Sequence, residues 1–130
     1  MKTSKGTFEI KMTGEPPYQE ADGVTLSRAR FDKQFSGGFQ GTSVVQMLAA
    51  RTPVTTSAGY VALERLEGSL DGKAGSFVVL QTGLMDNGKQ TLSIQIVPDS
   101  GTGELKGLRG TMTITIFERV HYYTVDYDQS

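Results

Sequence analysis

Apolar and polar residues alternate along most of the chain. Phe8, Ile10 and Met12 take every second position between Thr7, Glu9 and Lys11. A period of two puts successive side chains on opposite faces of a strand, so a first strand is predicted at 7–12. The segment Gly14-Glu15-Pro16-Pro17-Tyr18 interrupts it, because neither proline has an N–H for a ladder, and Ala21-Asp22-Gly23 adds turn chemistry. The pattern resumes from Val24 to Phe35, where Ala29, Phe31, Lys33 and Phe35 share a face opposite Arg28, Arg30, Asp32 and Gln34; Ser36-Gly37-Gly38 then reads as a hairpin. In 39–51, Val44, Val45, Met47 and Leu48 fit a short helix about as well as a strand, and the flanking glycines decide for strand. Further strands are expected at 60–70, 76–83, 90–97, 104–108, 111–120 and 121–127. Turns at 70–75, 86–89 and 98–101 separate them, two carrying the Asp-Gly and Asn-Gly pairs that supply positive φ in tight hairpins.

Regularly spaced strands, 16 glycines and no convincing helix predict an all-β domain over 1–130. Eight or so strands with little helix form an antiparallel meander that folds into a sandwich or closes into a barrel, and closure is favoured because it removes the edges that long strands would expose.

Composition narrows the chemistry. A length of 130 residues suits one domain. With no cysteine and one histidine, disulfides, thiol catalysis and Cys/His metal centres cannot be built, and neither a metal nor an organic cofactor is expected. A net charge of −1 lacks the basic excess that nucleic acid or an anionic membrane surface requires. Arg28, Arg30 and Arg65 are interleaved with Glu9, Asp32 and Glu67, as on a solvated face. The run Phe77-Val78-Val79-Leu80 is far short of a membrane helix, and no apolar leader core follows Met1-Lys2. A cytoplasmic location is expected.

Three groups of residues together carry a resemblance. They are Gly59-Tyr60-Val61-Ala62-Leu63-Glu64-Arg65 leading to Gly68-Ser69-Leu70-Asp71-Gly72-Lys73-Ala74-Gly75-Ser76-Phe77, then Pro98-Asp99-Ser100-Gly101-Thr102-Gly103-Glu104-Leu105 with Gly107-Leu108-Arg109-Gly110-Thr111, and finally His121-Tyr122-Tyr123 with Asp126-Tyr127. The set resembles an uncharacterised bacterial family, a domain of unknown function, that is similar to the allene oxide cyclase barrel. The Ser-Gly-Thr-Gly turn also looks like the Gly-Gly-Thr-Gly element of allene oxide cyclases and dirigent proteins. The resemblance implies an eight-stranded barrel that forms oligomers. In that family a His often follows the Gln of the strand after the Gly-Ser-Phe element; this chain has Gln81-Thr82, so Gln81 alone is carried over as a ligand-binding candidate.

Strand phase supplies the other candidates. Lys33 shares a face with Ala29, Phe31 and Phe35, Glu64 is in phase with Tyr60, Ala62 and Leu66, Glu118 with Met112, Ile114 and Ile116, and His121 with Tyr123, Val125 and Tyr127. An inward ammonium needs a partner, and Lys33 with Glu64 or Glu118 is the expected pair. If the lumen is open, Glu64 or His121 is the candidate base and Lys33 the electrophilic stabiliser, with Tyr60, Gln81, Glu118 and Tyr123 as ligand contacts. If it is filled, the same groups form a satisfied polar network and the aromatics are core. Gly101-Thr102-Gly103 opens a strand rather than a helix and no Gly-Lys-Ser/Thr follows, so it is read as a tight turn rather than a phosphate loop.

Two functions follow. One is a barrel that binds a small apolar molecule, in its catalytic form a cofactor-independent cyclase or isomerase. The other is a non-catalytic structural or assembly module with a packed lumen. In either case Val61 and Leu63, apolar on the face opposite Tyr60 and Leu66, predict a homo-oligomer.

Overall fold

The computed structural model describes residues 1–130. Its elements are β1 (Lys2–Gly14), β2 (Gln19–Ala21), β3 (Val24–Gly37), β4 (Phe39–Arg51), β5 (Ala58–Leu70), β6 (Lys73–Asp86), β7 (Lys89–Ile96), β8 (Leu108–Phe117) and β9 (Val120–Gln129). There is no α-helix, and the one helical turn is a short 3₁₀ segment, Gly103–Leu105. The sheet order is β1-β9-β8-β7-β6-β5-β4-β3, every neighbour is antiparallel, and β1 pairs with β3 as well as β9. The sheet therefore closes on itself as the expected eight-stranded antiparallel barrel. β2 is a three-residue addition to the edge of β3. The helix that competed with the strand over 39–51 does not form. β4 instead pairs along its whole length with β5, Phe39 opposite Leu70 through Arg51 opposite Ala58.

The hairpin turns follow their chemistry. Asp71 and Gly72 have φ of 49° and 87°, and Asn87 and Gly88 have 49° and 90°, both residues left-handed as a type I′ turn requires. Three local expectations need correction. The stretch read as loop over 14–23 contains β2, since Pro16 and Pro17 break the ladder without ending the direction of the chain. Residues 104–107 are not a strand, and Leu108 is the first residue of β8: Gly103 (φ 59°) and Gly107 (φ 80°) turn the backbone at either side, and the 3₁₀ turn drives Leu105 into the barrel end, where it is buried. The junction placed at Val120-His121 lies earlier, in a turn at Glu118-Arg119 whose φ values are 50° and 69°. No glycine, asparagine or aspartate marks that turn, so periodicity ran through it.

Alternation along each strand fills the lumen unevenly. The end nearest the 3₁₀ turn is solid: Phe39, Leu66, Leu70, Phe77, Leu105, Leu108 and Val125 are all buried. Phe35 packs there against Phe8, Phe39 and Tyr123 with ring centroids 5.2, 5.2 and 5.4 Å apart, spacings at which aromatic rings attract. Asp71 ties this end together, accepting from the Ser4 hydroxyl and from Tyr127. At the opposite end inward positions such as Met12 and Ile116 lie exposed, and β7 touches β8 through a single ladder pair, Gln95 with Thr111. One end of the barrel is a plug and the other a mouth.

Candidate functional site

Register brings the polar residues together between plug and mouth. Lys33 on β3 lies opposite Ser43 on β4. Glu64 on β5 lies opposite Val45 and Gln81 on β6 opposite Ala62, so Glu64 is the diagonal neighbour of Ser43, and Gln81 that of Glu64, on a shared inner face. The result is a polar chain across four adjacent strands, stepping with the stagger of the barrel.

Glu64 is at its centre, with 0% of its surface exposed. One carboxylate oxygen accepts from Lys33 Nζ at 3.2 Å and from Gln81 Nε2 at 2.8 Å; the other accepts from the Ser43 hydroxyl at 2.6 Å. A carboxylate removed from water at a cost of several kcal/mol, roughly the effective penalty per buried ion, is thus held by three donors, one of them charged. Lys33 is 6% exposed. Its single hydrogen bond goes to Glu64, and the ammonium lies 4.5 Å from the centre of the Phe8 ring and 5.9 Å from that of Phe35, close enough for cation–π attraction. An ammonium has three N–H donors, so two have no protein acceptor. The Tyr60 hydroxyl reaches Gln81 Oε1 at 3.5 Å, a distance at which little hydrogen bonding remains, and burial pushes its ionisation above the usual tyrosine value. Its ring rests on Gly83, directly across the ladder, where a Cβ would come within 2.2 Å of the ring.

Above this network is a cavity of about 170 Å³ lined by Phe8, Ile10, Phe31, Val45, Met47 and Ile114, among others, with Lys33, Tyr60, Gln81 and His121 as its polar rim and floor. His121, half-buried at the mouth, stacks on Phe8 with centroids 5.0 Å apart. Lys33, Glu64, Tyr60 and His121 therefore converge, as their strand phases predict, and Gln81, carried over from the family resemblance, joins them. Glu118 does not: it occupies the left-handed turn after β8 and is exposed, because the hairpin reverses before the alternation reaches it. Tyr123 points inward but on the plug side, its hydroxyl accepting from the Phe39 N–H at 2.8 Å and lying 2.9 and 3.0 Å from the Ser36 and Phe39 carbonyls. It fastens the β3–β4 hairpin and is spent on structure. Ser43 was missed, although its phase with Phe39, Val45 and Met47 carried the signal.

Fold and site together define a class: a closed antiparallel barrel whose lumen holds one buried ion pair under a small apolar cavity. Over residues 4–127 the chain matches the family described as protein of unknown function DUF3224, and it belongs to that family. It is also similar to the crystal structure of a DUF3224 protein of unknown function from Shewanella oneidensis MR-1. The two share 42% sequence identity and a TM-score of 0.94, over 100% of this chain and 98% of the other. No curated protein matches it. None of its helical segments is long and apolar enough to cross a membrane.

Proposed function

We propose that this protein binds a small apolar molecule in the open half of its barrel. The supporting observation is the cavity of about 170 Å³, apolar in its walls, with Lys33 and its unused donors at the floor. A satisfied, filled lumen would leave neither the space nor the donors. An apolar cavity of about 150 Å³ suffices to hold benzene, so the occupant is the size of a single ring or a short branched chain. The reading includes a likeness to allene oxide cyclase and dirigent proteins, supported by the barrel shape and the Ser100-Gly101-Thr102-Gly103 element, and a cytoplasmic location, supported by the near-neutral net charge of −1. In a catalytic version, a cyclase or isomerase, Lys33 would polarise the substrate and His121 would serve as base, since three donors already occupy Glu64. The test is titration with toluene followed by amide chemical shifts. Perturbations confined to residues around Ile10, Phe31, Met47 and Ile114, and abolished by Ala62→Phe, are expected; an unperturbed spectrum at saturation overturns the reading.

A second observation favours self-association with another copy of this chain. The outer face of β4 to β6 carries Leu48, Val61, Leu63, Leu80 and Leu84, each between 39% and 65% exposed and adjacent across the ladder, Leu48 opposite Val61 and Leu63 opposite Leu80. Exposed apolar side chains side by side on one sheet face form the kind of patch that marks an interaction surface. Sedimentation at micromolar concentration should show an oligomer that Leu63→Glu converts to monomer; a monomeric wild type overturns this part.

A further inference from the structure

The charge and donor inventory of the cavity narrows the occupant's polar group. Lys33 and Glu64 face each other at 3.2 Å and cancel in net charge. Both Glu64 oxygens are taken, whereas Lys33 has two free N–H donors and Tyr60 holds its hydroxyl proton only loosely toward Gln81. The floor therefore has a surplus of donors and no surplus charge. An occupant with a carboxylate would bring a second anion beside a fully buried Glu64, with one lysine to balance both, and an unpaired buried charge is strongly disfavoured. A pure hydrocarbon would leave the lysine donors unsatisfied, which is also unfavourable. A neutral oxygen that only accepts meets both conditions.

We propose that the ligand of this barrel is a neutral carbonyl compound, a ketone, ester or amide of about ten non-hydrogen atoms or fewer, given the cavity's size. Its carbonyl oxygen accepts from Lys33, and its apolar body lies against Phe8, Phe31, Val45 and Met47. This rests on the binding reading above and specifies it. Glu64 is here a positioning residue. It holds the lysine at the cavity floor and, with its oxygens occupied, does not compete with the ligand for the free N–H groups.

Three near-isosteric probes separate the cases: acetophenone, cumene and benzoate, each titrated into the intact protein and followed by amide chemical shifts. The expected order puts acetophenone at least tenfold tighter than either of the others. The carbonyl ¹³C resonance of labelled acetophenone should stay, when bound, at or downfield of its position in water. In the Lys33→Met/Glu64→Gln double variant the preference over cumene should disappear while cumene still binds. The ¹³C shift on the wild-type protein decides the matter even if that variant does not fold. Cumene binding as tightly as acetophenone, or a bound carbonyl resonance moved to its position in hydrocarbon solvent, overturns the carbonyl assignment and leaves cavity binding intact. Benzoate binding tightest overturns it in favour of an anion. Binding of none of the three overturns the cavity reading itself.

Discussion

The two ends of this barrel are built from the same strands with the same alternation, yet they differ in what alternation achieves. At the plug, inward positions carry Phe39, Leu70, Phe77 and Leu108, and the 3₁₀ turn adds Leu105 from outside the ladder, so every apolar surface finds another. At the mouth, inward positions carry Met12, Met47, Ile114 and Ile116, of which Met12 and Ile116 lie exposed, and β7 and β8 share one ladder pair. A strand pattern thus decides which side of the wall a residue faces, while a lumen is filled only where a loop or a large side chain closes it. The plug supplies the stability that allows the mouth to hold a buried ion pair under an unfilled cavity.

Breaking the ion pair should have the largest effect. Glu64→Leu leaves Lys33, Ser43 and Gln81 without their shared acceptor, and a loss of about 5 kcal/mol, the upper part of the usual range for stranding a buried partner, is expected in urea denaturation. Lys33→Met should cost less, since Ser43 and Gln81 still hold the carboxylate, and the double variant should be milder than Glu64→Leu alone. Equal, additive losses would show that the pair is not coupled.

Contrasting truncations come next. Phe77→Ala in the plug should cost about 3–5 kcal/mol, whereas Met47→Ala at the mouth should fall below about 2 kcal/mol because it enlarges a space that is already open. Similar losses at both sites would abolish the distinction between plug and mouth. Within the plug, Tyr123→Phe removes the hydroxyl that serves the Phe39 N–H, with an expected cost of about 1–3 kcal/mol for an orphaned buried donor.

The largest pH dependence belongs to the plug. Burial, with the hydrogen bond to Asp71, pushes the Tyr127 phenol up to about 12 from 10.0. Because the unfolded chain releases this proton first, its contribution is complete below the unfolded value and is lost as pH rises through the interval up to the folded one. Denaturation midpoints should therefore fall between pH 10 and 12, and less steeply in Tyr127→Phe. The residual slope comes from Tyr60 and Tyr123, which burial shifts in the same direction. The smallest effect, of opposite sign, is at the mouth. Replacing Glu118-Arg119 by Asn-Gly relieves two left-handed residues and should stabilise by about 0.5–1 kcal/mol, with the cavity network unchanged.

Much of this was legible along the chain. Lys33 could not turn outward without expelling Phe31 and Phe35, at roughly 1.5–3 kcal/mol for each large side chain, so its phase, like those of Glu64, Tyr60 and His121, followed from two-residue periodicity. The hairpins at Asp71-Gly72 and Asn87-Gly88 followed from turn chemistry. The turn at Glu118-Arg119 was not legible, because neither residue favours positive φ and the ladder on both sides imposes it; Glu118 was expected inside for that reason alone.

By itself the sequence determined inside and outside: which residues of each strand face the lumen, and hence that an ammonium and a carboxylate would be buried together. Periodicity is a local property, set by the pleat of one strand. Which diagonal neighbours meet is set by the stagger between strands, a property of the closed sheet. Only the tertiary structure decided that Ser43 and Gln81 would complete the shell of Glu64, that Tyr123 would be spent on a backbone turn, and that two lysine donors would be left facing an open cavity.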